Sequence, residues 1–423
     1  MIKQLFHNKV ATNAGWIIIG KIIQMIINLV VGLITARYLG PSNYGLINYA
    51  GAYTAFFSSF CTLGINSVIV KEFVDRPDKS GEIIGTTLGL RAVSSLLSAL
   101  TIIGISLVAD RGETITIIVV VLSSVGVLFQ IFDTFNYWFQ SKLQSKITAI
   151  VTLIAYSITA AYKVILLILK KPVTYFAFAT SVDYIFIAIL LFICYKKYKN
   201  DKLSFSFQYG KELLKKSCHF ILPGLMVAIY GQTDKLMLKH MISDTEIGYY
   251  ATAVSLCNMW CFILSAIIDS LYPPIMESFK TDKTEFDRKN KLLYAIVFYL
   301  SVFVSALFTI LGRFIVELLY GQAYLGAVAP LRVITWYTAF SYLGMARNAW
   351  IVCMNKQKYL KYLYISAAAI NVVLNLIFIP TLGATGAAIA SLVAQIATTF
   401  VVPFFMKDLR ENSLLMVQAI LFK

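Results

Sequence analysis

The sequence is poor in charged residues and in histidine. Only 14% of its 423 residues are Asp, Glu, Lys or Arg, and three are histidines, whereas soluble domains carry about 25% charged residues. Hydrophobic residues make up 59% of the chain, and the mean hydropathy is +0.75. This composition excludes an ordinary soluble domain and indicates an integral membrane protein.

Patterns typical of catalysis and of metal binding are also missing. The six cysteines form no CxxC pair and have no histidine at the spacing of metal ligands. The sequence contains neither a Ser/His/Asp arrangement nor a Gly-rich phosphate loop. It therefore predicts no catalytic residues and no metal site, and the cysteines are expected to serve as small apolar residues.

Long apolar runs fill the rest of the chain. A helix needs roughly 20 apolar residues to cross a bilayer, and twelve segments meet this requirement. The first has a basic flank but no small-residue cleavage site, so we keep it as a spanning helix rather than a signal peptide. The predicted spans lie near 12–36, 44–69, 83–108, 115–139, 147–168, 173–195, 219–241, 247–275, 292–311, 328–353, 359–380 and 384–406.

The basic residues follow the loops between these spans. If the N-terminus is cytoplasmic, the inside segments from Lys3 to Arg410 hold 24 Lys and Arg, and the outside loops hold 6. Cytoplasmic loops of membrane proteins carry such an excess. The net charge of +16 is therefore interpreted as a topology signal rather than as a surface for nucleic acid, and both termini are predicted to be cytoplasmic.

The most basic loop divides the spans into two sets of six. We predict an N-terminal lobe (1–195), a basic cytoplasmic linker (196–217), a C-terminal lobe (218–406) and a cytoplasmic tail (407–423). A shift of 203 positions aligns Gly45 with Gly248 and Ala50 with Ala253, which favours parallel repeats. The predicted fold is an all-α integral membrane protein with twelve transmembrane helices in two six-helix lobes around a central cavity.

Three stretches carry a resemblance to a known family. The run "TARYLGPSNYGLINYAGAYTAFFSSFCTLGINSVIVKEF" (35–73) resembles the first-repeat signature of Wzx-type bacterial polysaccharide flippases. Their superfamily also holds multidrug exporters and lipid II flippases. The stretch "TDKLMLKHMISDTEIGYYATA" resembles the second-repeat signature, and "IPTLGATGAAIASLVAQI" resembles the closing helix pair.

The resemblance implies a flippase of the bacterial cytoplasmic (inner) membrane. It would move an undecaprenyl-diphosphate-linked oligosaccharide repeat unit to the outer leaflet by alternating access, for the assembly of O-antigen, capsule or exopolysaccharide. A polysaccharide polymerase and a chain-length regulator are candidate partners. No cofactor is implied, and coupling to protons or to sodium stays open.

Charged residues inside the predicted spans are candidates for function, because charges at membrane depth usually face a protein interior or a water-filled cavity. The cations outnumber the anions by two, which suits an anionic substrate better than a cationic drug. The cations are Lys21, Arg91, Lys163, Lys235, Arg332 and Arg347, and the anions are Asp133, Asp183, Asp234 and Asp269.

The first span carries Lys21, Gln24 and Asn28 on one helical face. This face is predicted to line the substrate cavity, with a hydrogen-bonded seam between helices as the alternative. Lys21 and Arg347, one cation from each lobe, are predicted to bind the diphosphate. Arg91 and Arg332 are further predicted substrate contacts.

The fourth span ends with a polar and aromatic stripe. Gln130, Asp133, Tyr137 and Gln140 share a face that could bind sugars, although aromatic residues are also ordinary near a membrane surface. Asp133 is included among the predicted substrate residues. In the eleventh span Asn371 and Asn375 form an i, i+4 pair, which we expect to serve helix packing.

Asp234 and Lys235 are adjacent inside the seventh span and point about 100° apart. If this helix borders a cavity, Lys235 is available for an anion, and Asp234 for a cation, a proton or an arginine of another helix. The alternative places both residues near the outer end of the span, where Lys235 reaches water. Asp234 is the predicted ion-coupling residue.

Two other functions remain to be distinguished from a flippase. An ion-coupled multidrug exporter would be expected to have an acidic rather than a basic cavity. A membrane polysaccharide polymerase or ligase would be expected to carry a substantial extracytoplasmic loop, whereas the long loops here are predicted to be cytoplasmic.

The topology can be tested by labelling single cysteines in a cysteine-free variant with a membrane-impermeant reagent. Positions in 196–217 and 277–290 are expected to react only from the cytoplasmic side, and positions in 37–43 and 312–327 only from outside, because of the charge bias. Labelling of 196–217 from outside would contradict the division into two sets of six spans.

Overall fold

The computed structural model describes residues 9–198 and 202–421, and helix accounts for nearly all of them. The long helices follow the apolar runs, since a bilayer leaves backbone groups no partner outside the segment itself. Short 3-10 turns connect several of them. The helices are α1 (Lys9–Thr62), α2 (Asn66–Asp75), α3 (Ser80–Ala109), α4 (Thr114–Phe129), α5 (Asp133–Ser141), α6 (Ser145–Ile168), α7 (Val173–Tyr198), α8 (Phe207–Met241), α9 (Asp244–Thr281), α10 (Lys283–Tyr320), α11 (Val328–Cys353), α12 (Leu360–Ile396), α13 (Val402–Phe405) and α14 (Arg410–Ile420).

These helices account for twelve spans within the described ranges. Eight stretches are long and apolar enough to cross a membrane, and α8, which bends by 45°, makes a ninth. Two of the nine are continuous in sequence but contain a glycine with non-helical backbone angles, Gly40 in α1 and Gly383 in α12, so each supplies two spans. The remaining span is α11, whose hydropathy is reduced by Arg332 and Arg347.

The break at Gly40 has a local cause. Its φ of 72° lies in the left-handed region, which glycine adopts without a steric penalty. Pro41 follows and has no N–H to continue the helix. The chain therefore ends one span at this point and begins the next without a loop.

The contacts divide the chain into two compact units. The N-terminal unit comprises the described residues up to Leu39 together with Tyr49–Ala228, and the C-terminal unit comprises Gly40–Asn48 and the described residues from Ile229 onward. Each unit has its own apolar core.

The start of α8 belongs to the core of the N-terminal unit. Tyr209 and Leu213 are buried there, and the buried carboxylate of Glu72 accepts hydrogen bonds from the Tyr209 hydroxyl (3.1 Å) and the Lys216 ammonium (2.6 Å). The predicted linker over 196–217 thus contains the start of a helix, because α8 begins at Phe207. This part of α8 is amphipathic, with the buried Tyr209 and Leu213 four positions apart. Its many lysines led to the prediction of a linker instead of a helix.

The C-terminal helix α14 caps the core of the C-terminal unit. Its residues Leu415, Met416 and Ala419 pack into that core, and the Asn412 amide donates to the Tyr294 hydroxyl of α10 over 2.7 Å. The predicted tail (407–423) thus contains a short helix that packs along α10.

The two glycines matched by the shift of 203 residues lie at a reciprocal close contact in the C-terminal unit. A Cβ on Gly45 would overlap the carbonyl group of Asp244, and a Cβ on Gly248 would overlap that of Pro41. Pro41 and Asp244 are themselves 203 positions apart, so the contact has the same form in both directions. Only glycine allows the two backbones to approach this closely.

Adding a methyl group at this contact should destabilise the protein. Gly45→Ala and Gly248→Ala are each expected to lower the free energy of unfolding by about 1–3 kcal/mol or more, since the backbones must move apart. Thermal unfolding in detergent measures the effect. Gly51→Ala is the matched control, because open space surrounds that position, and its stability should be unchanged or raised. Equal behaviour of the three variants would contradict the close packing.

Candidate functional site

A polar cavity of about 230 Å³ lies in the N-terminal unit between α1, α5 and α6. The helices α1 and α6 approach closely here, since a Cβ on Gly20 would lie 3.2 Å from the Cβ of Ala149. Nine residues line it: Gly20, Lys21, Gln24, Asn136, Gln140, Ser145, Thr148, Ala149 and Thr152.

The lining combines one cation with amides and hydroxyls. The exposed Lys21 side chain is available to an anion. Thr148 and Thr152 donate their hydroxyl protons to backbone carbonyls of α6, over 3.0 and 2.7 Å, so their lone pairs face the cavity as acceptors. Among the described residues, none of the nine lining side chains is acidic. This donor and acceptor set suits a phosphate and sugar hydroxyls.

The structure thus brings two predicted substrate residues, Lys21 and Gln24, into one cavity with Gln140 of the predicted aromatic stripe. Asn28 lies one turn further along α1 with its side chain exposed, and it is not among the residues that line the cavity. The contribution of the α6 hydroxyls was not predicted, since Ser and Thr are common in membrane helices and carry no distinctive spacing.

Arg91 lies elsewhere in the N-terminal unit and is 1% exposed. Its guanidinium donates to the Thr134 hydroxyl over 3.2 Å and to the Asn66 amide oxygen, and it lies 5.9 Å from the ring centroid of Tyr137. Asp133 begins α5, next to Thr134, and the ion pairs within the described ranges do not join it to Arg91. Arg91 therefore connects α2, α3 and α5 in this conformation, and its contact with substrate stays a prediction.

A buried carboxylate occupies the interior of the C-terminal unit. Asp234 of α8 is 3% exposed. It accepts hydrogen bonds from the Tyr250 hydroxyl of α9 and from three side chains of α12. These three are the amides of Asn371 (3.0 Å) and Asn375 (2.6 Å) and the hydroxyl of Ser391 (2.6 Å). All four donors are uncharged.

No lysine or arginine among the described residues forms an ion pair with Asp234. The neighbouring Lys235 instead donates to Gln232 over 3.3 Å. A carboxylate buried with neutral donors alone is stabilised by hydrogen bonds but not neutralised. A proton or a small cation could therefore supply the missing positive charge. The arginine considered as an alternative partner is not found in the described part of the chain.

The sequence did not predict that the two asparagines of α12 belong to this cluster. Asn371 and Asn375 were expected to serve helix packing, yet both amides donate to the same oxygen of Asp234. In addition, the Oδ1 atom of Asn375 has no hydrogen-bond partner within the described ranges. The i, i+4 spacing of two amides in an apolar helix indicates a polar contact, but it does not identify Asp234 as the partner.

The two arginines of α11 have different surroundings. Arg332 is exposed and donates to the Thr309 carbonyl over 3.1 Å. Arg347 is 5% exposed and donates to the carbonyls of Thr398 (3.3 Å) and Thr399 (3.4 Å). These carbonyls belong to a short π-helix, Ala397–Val401, in which backbone groups are displaced from regular α-helical bonding. In this conformation Arg347 satisfies them, and diphosphate binding stays a prediction.

The fold defines a class, the multi-span helical membrane proteins. A multidrug resistance MATE family transporter of the MOP superfamily, in an inward-facing conformation, matches with a TM-score of 0.71 at 15% identity, covering 93% of this chain and 96% of that one. The lipid II flippase MurJ in an inward closed conformation matches with a TM-score of 0.68 at 13% identity, covering 97% and 92%. These likenesses establish the fold.

The sequence relatives narrow the class. The chain is 20% identical over 406 residues to the capsular polysaccharide biosynthesis protein CapF of Staphylococcus aureus, covering 93% of this chain and 98% of the relative. Residues 10–279 match the model of the family described as polysaccharide biosynthesis protein. The chain belongs to this family, and it is a multi-pass membrane protein whose fold resembles those of the MATE transporter and the flippase MurJ.

Proposed function

We propose that the protein is a flippase that carries an undecaprenyl-diphosphate-linked oligosaccharide repeat unit from the cytoplasmic to the outer leaflet. It would act by alternating access during polysaccharide assembly. The family membership supports a role in polysaccharide biosynthesis, and the fold shared with a lipid II flippase supports movement of a lipid-linked sugar. The charge bias of the loops supports cytoplasmic termini, and the family resemblance supports a location in the bacterial inner membrane.

The polar cavity is the observation that carries this proposal. A phosphate group needs a cation and hydrogen-bond donors, which Lys21, Gln24 and Gln140 supply. Sugar hydroxyls need both donors and acceptors, and the amides and hydroxyls of α5 and α6 provide them. A site for cationic drugs would call for a carboxylate in the lining, which the described lining residues lack.

Asp234 is proposed as the site of ion coupling. Its four hydrogen-bond donors are uncharged and no described cation pairs with it, so the charge of a proton or of a sodium ion would be complementary to the site. Because its donors come from α9 and α12, ion binding would hold three helices together. Release would loosen them, which links the occupancy of the site to the conformation of the C-terminal unit.

Replacing Lys21 tests the cavity. Lys21→Gln is expected to lower the transport of lipid-linked oligosaccharide into the outer leaflet of proteoliposomes by about 10–100-fold, since hydrogen bonds to a charged group contribute about 1.5–3 kcal/mol. Thermal stability should stay normal, because Lys21 is exposed. Lys358→Gln is the matched control, since Lys358 is also an exposed lysine and lies outside the cavity. Full transport by Lys21→Gln would exclude the proposed phosphate contact.

Replacing Asp234 tests the coupling. Asp234→Asn keeps the size of the side chain but cannot exchange a proton or neutralise a cation, so stimulation of transport by a proton or sodium gradient should be lost while downhill flipping persists. Imposing each gradient separately on proteoliposomes identifies the ion. Asp269→Asn is the control, because Asp269 is an exposed carboxylate of the neighbouring α9. Undiminished stimulation by both gradients in Asp234→Asn would exclude this residue as the coupling site.

A further inference from the structure

A second cavity in the N-terminal unit is almost entirely apolar. Its volume is about 260 Å³, and it lies between α4, α6 and α7. Leu122, Tyr162, Thr174, Tyr175 and Phe178 line it, and the Tyr162 hydroxyl donates to the Tyr175 carbonyl over 3.2 Å. The Tyr162 hydroxyl is thus engaged with the protein, and most of the open surface of the groove is hydrocarbon and aromatic.

The residues that line this groove lie at a depth within one leaflet of a bilayer. Tyr162 lies six residues before the end of α6, and Leu122 lies eight residues after the start of α4. At 1.5 Å per residue these positions lie about 9–12 Å from the helix ends, whereas half of a hydrocarbon core measures about 15 Å. An acyl chain that enters from the membrane surface can therefore lie along the groove.

Two adjacent lysines stand at the rim of the groove, in the turn between α6 and α7. The ammonium of Lys171 lies 5.5 Å from the ring centroid of Tyr175, which lines the groove. The Tyr38 hydroxyl holds the turn by donating to the Lys171 carbonyl over 3.2 Å, and the Tyr38 ring lies 5.6 Å from that of Phe176. The cationic turn is thus fixed to α1 and α7 rather than left loose.

The backbone of this turn would ordinarily favour glycine. Lys170 has a φ of 50°, and its N–H and that of Lys171 donate to the carbonyls of Leu167 (3.2 Å) and Leu166 (3.0 Å). This is a helix-ending motif in which glycine usually takes the left-handed position. The left-handed conformation is less favourable for lysine than for glycine, and lysine at this position adds a positive charge to the turn.

The charge is also unusual for its side of the membrane. This turn is predicted to face outward, where the loops carry only 6 Lys and Arg against 24 inside, so two adjacent lysines run against the topology bias. A cationic rim over an apolar groove is complementary to a lipid with an anionic headgroup.

We infer that the groove binds an anionic phospholipid of the phosphatidylglycerol type, with its phosphate at Lys170 and Lys171 and one acyl chain against Leu122 and Phe178. The site lies in the N-terminal unit and uses none of the residues that line the polar cavity. It does not depend on the proposed transport function. Its occupant would be a resident lipid of the outer leaflet rather than the transported one.

Photo-crosslinking tests the inference. The full-length protein is placed in vesicles that contain a trace of phosphatidylglycerol or phosphatidylcholine with a diazirine in the acyl chain, and labelled peptides are identified by mass spectrometry. Peptides covering 162–178 should be labelled at least about fivefold more by phosphatidylglycerol than by phosphatidylcholine. The reason is that each lysine near an anionic lipid raises the affinity by about fivefold. The double variant Lys170→Gln/Lys171→Gln should remove this preference.

The double variant Lys358→Gln/Lys361→Gln is the matched control, since each of these exposed lysines also lies beside a tyrosine ring. It should label as the native protein does. Leu122→Trp fills the groove and should reduce labelling by both lipids. Equal labelling by both lipids in the native protein, or a preference that survives in Lys170→Gln/Lys171→Gln, would overturn the inference. Displacement of phosphatidylglycerol by an equal amount of undecaprenyl diphosphate would assign the groove to the substrate lipid and also overturn it.

Discussion

The structure depends on one constraint: a polar group inside hydrocarbon must find its partner within the protein. Asp234, Arg91 and Arg347 meet this requirement largely through uncharged groups, namely amides, hydroxyls and backbone carbonyls, although the Nε atoms of both arginines have no partner among the described residues. Each group ties together helices that are distant in the sequence. The polar side chains of the interior therefore also fix how the helices pack.

Neutral partners have a functional consequence. A buried carboxylate that is paired with lysine or arginine is already neutralised and has little to gain from binding an ion, whereas Asp234, with four uncharged donors, keeps its charge available. Lys21 shows the complementary arrangement, because its exposed ammonium stands in a lining of amides and hydroxyls without a described acidic neighbour. In the proposed function, one unit would thus hold a site for an anion, and the other a site for a cation.

Much of the fold could be predicted from the sequence, because apolar length and loop charge are local properties. The shift of 203 residues even identified the two glycines that pack reciprocally, since close backbone contact restricts those positions to glycine. The partners of Asp234 could not be predicted, because Asn371, Asn375 and Ser391 lie 137 to 157 residues away in sequence. The type of a single polar residue does not indicate which distant residue it will contact. The seventh span was predicted to begin near residue 219, whereas α8 begins at Phe207. The first turns of α8 are rich in lysine and have only a few apolar residues on their buried face, so they do not resemble a membrane span.

The central claim, that the protein moves a lipid-linked oligosaccharide across the membrane, is tested most directly by depleting it from cells and locating the intermediate that accumulates. Accessibility of the sugar to an impermeant glycosidase or lectin, in intact and in permeabilised spheroplasts, reports the leaflet. The flippase account predicts that a complete undecaprenyl-diphosphate-linked repeat unit accumulates on the cytoplasmic leaflet, where it is reached only after permeabilisation. Accumulation on the outer leaflet would indicate a later step, such as polymerisation or ligation, and would contradict the account.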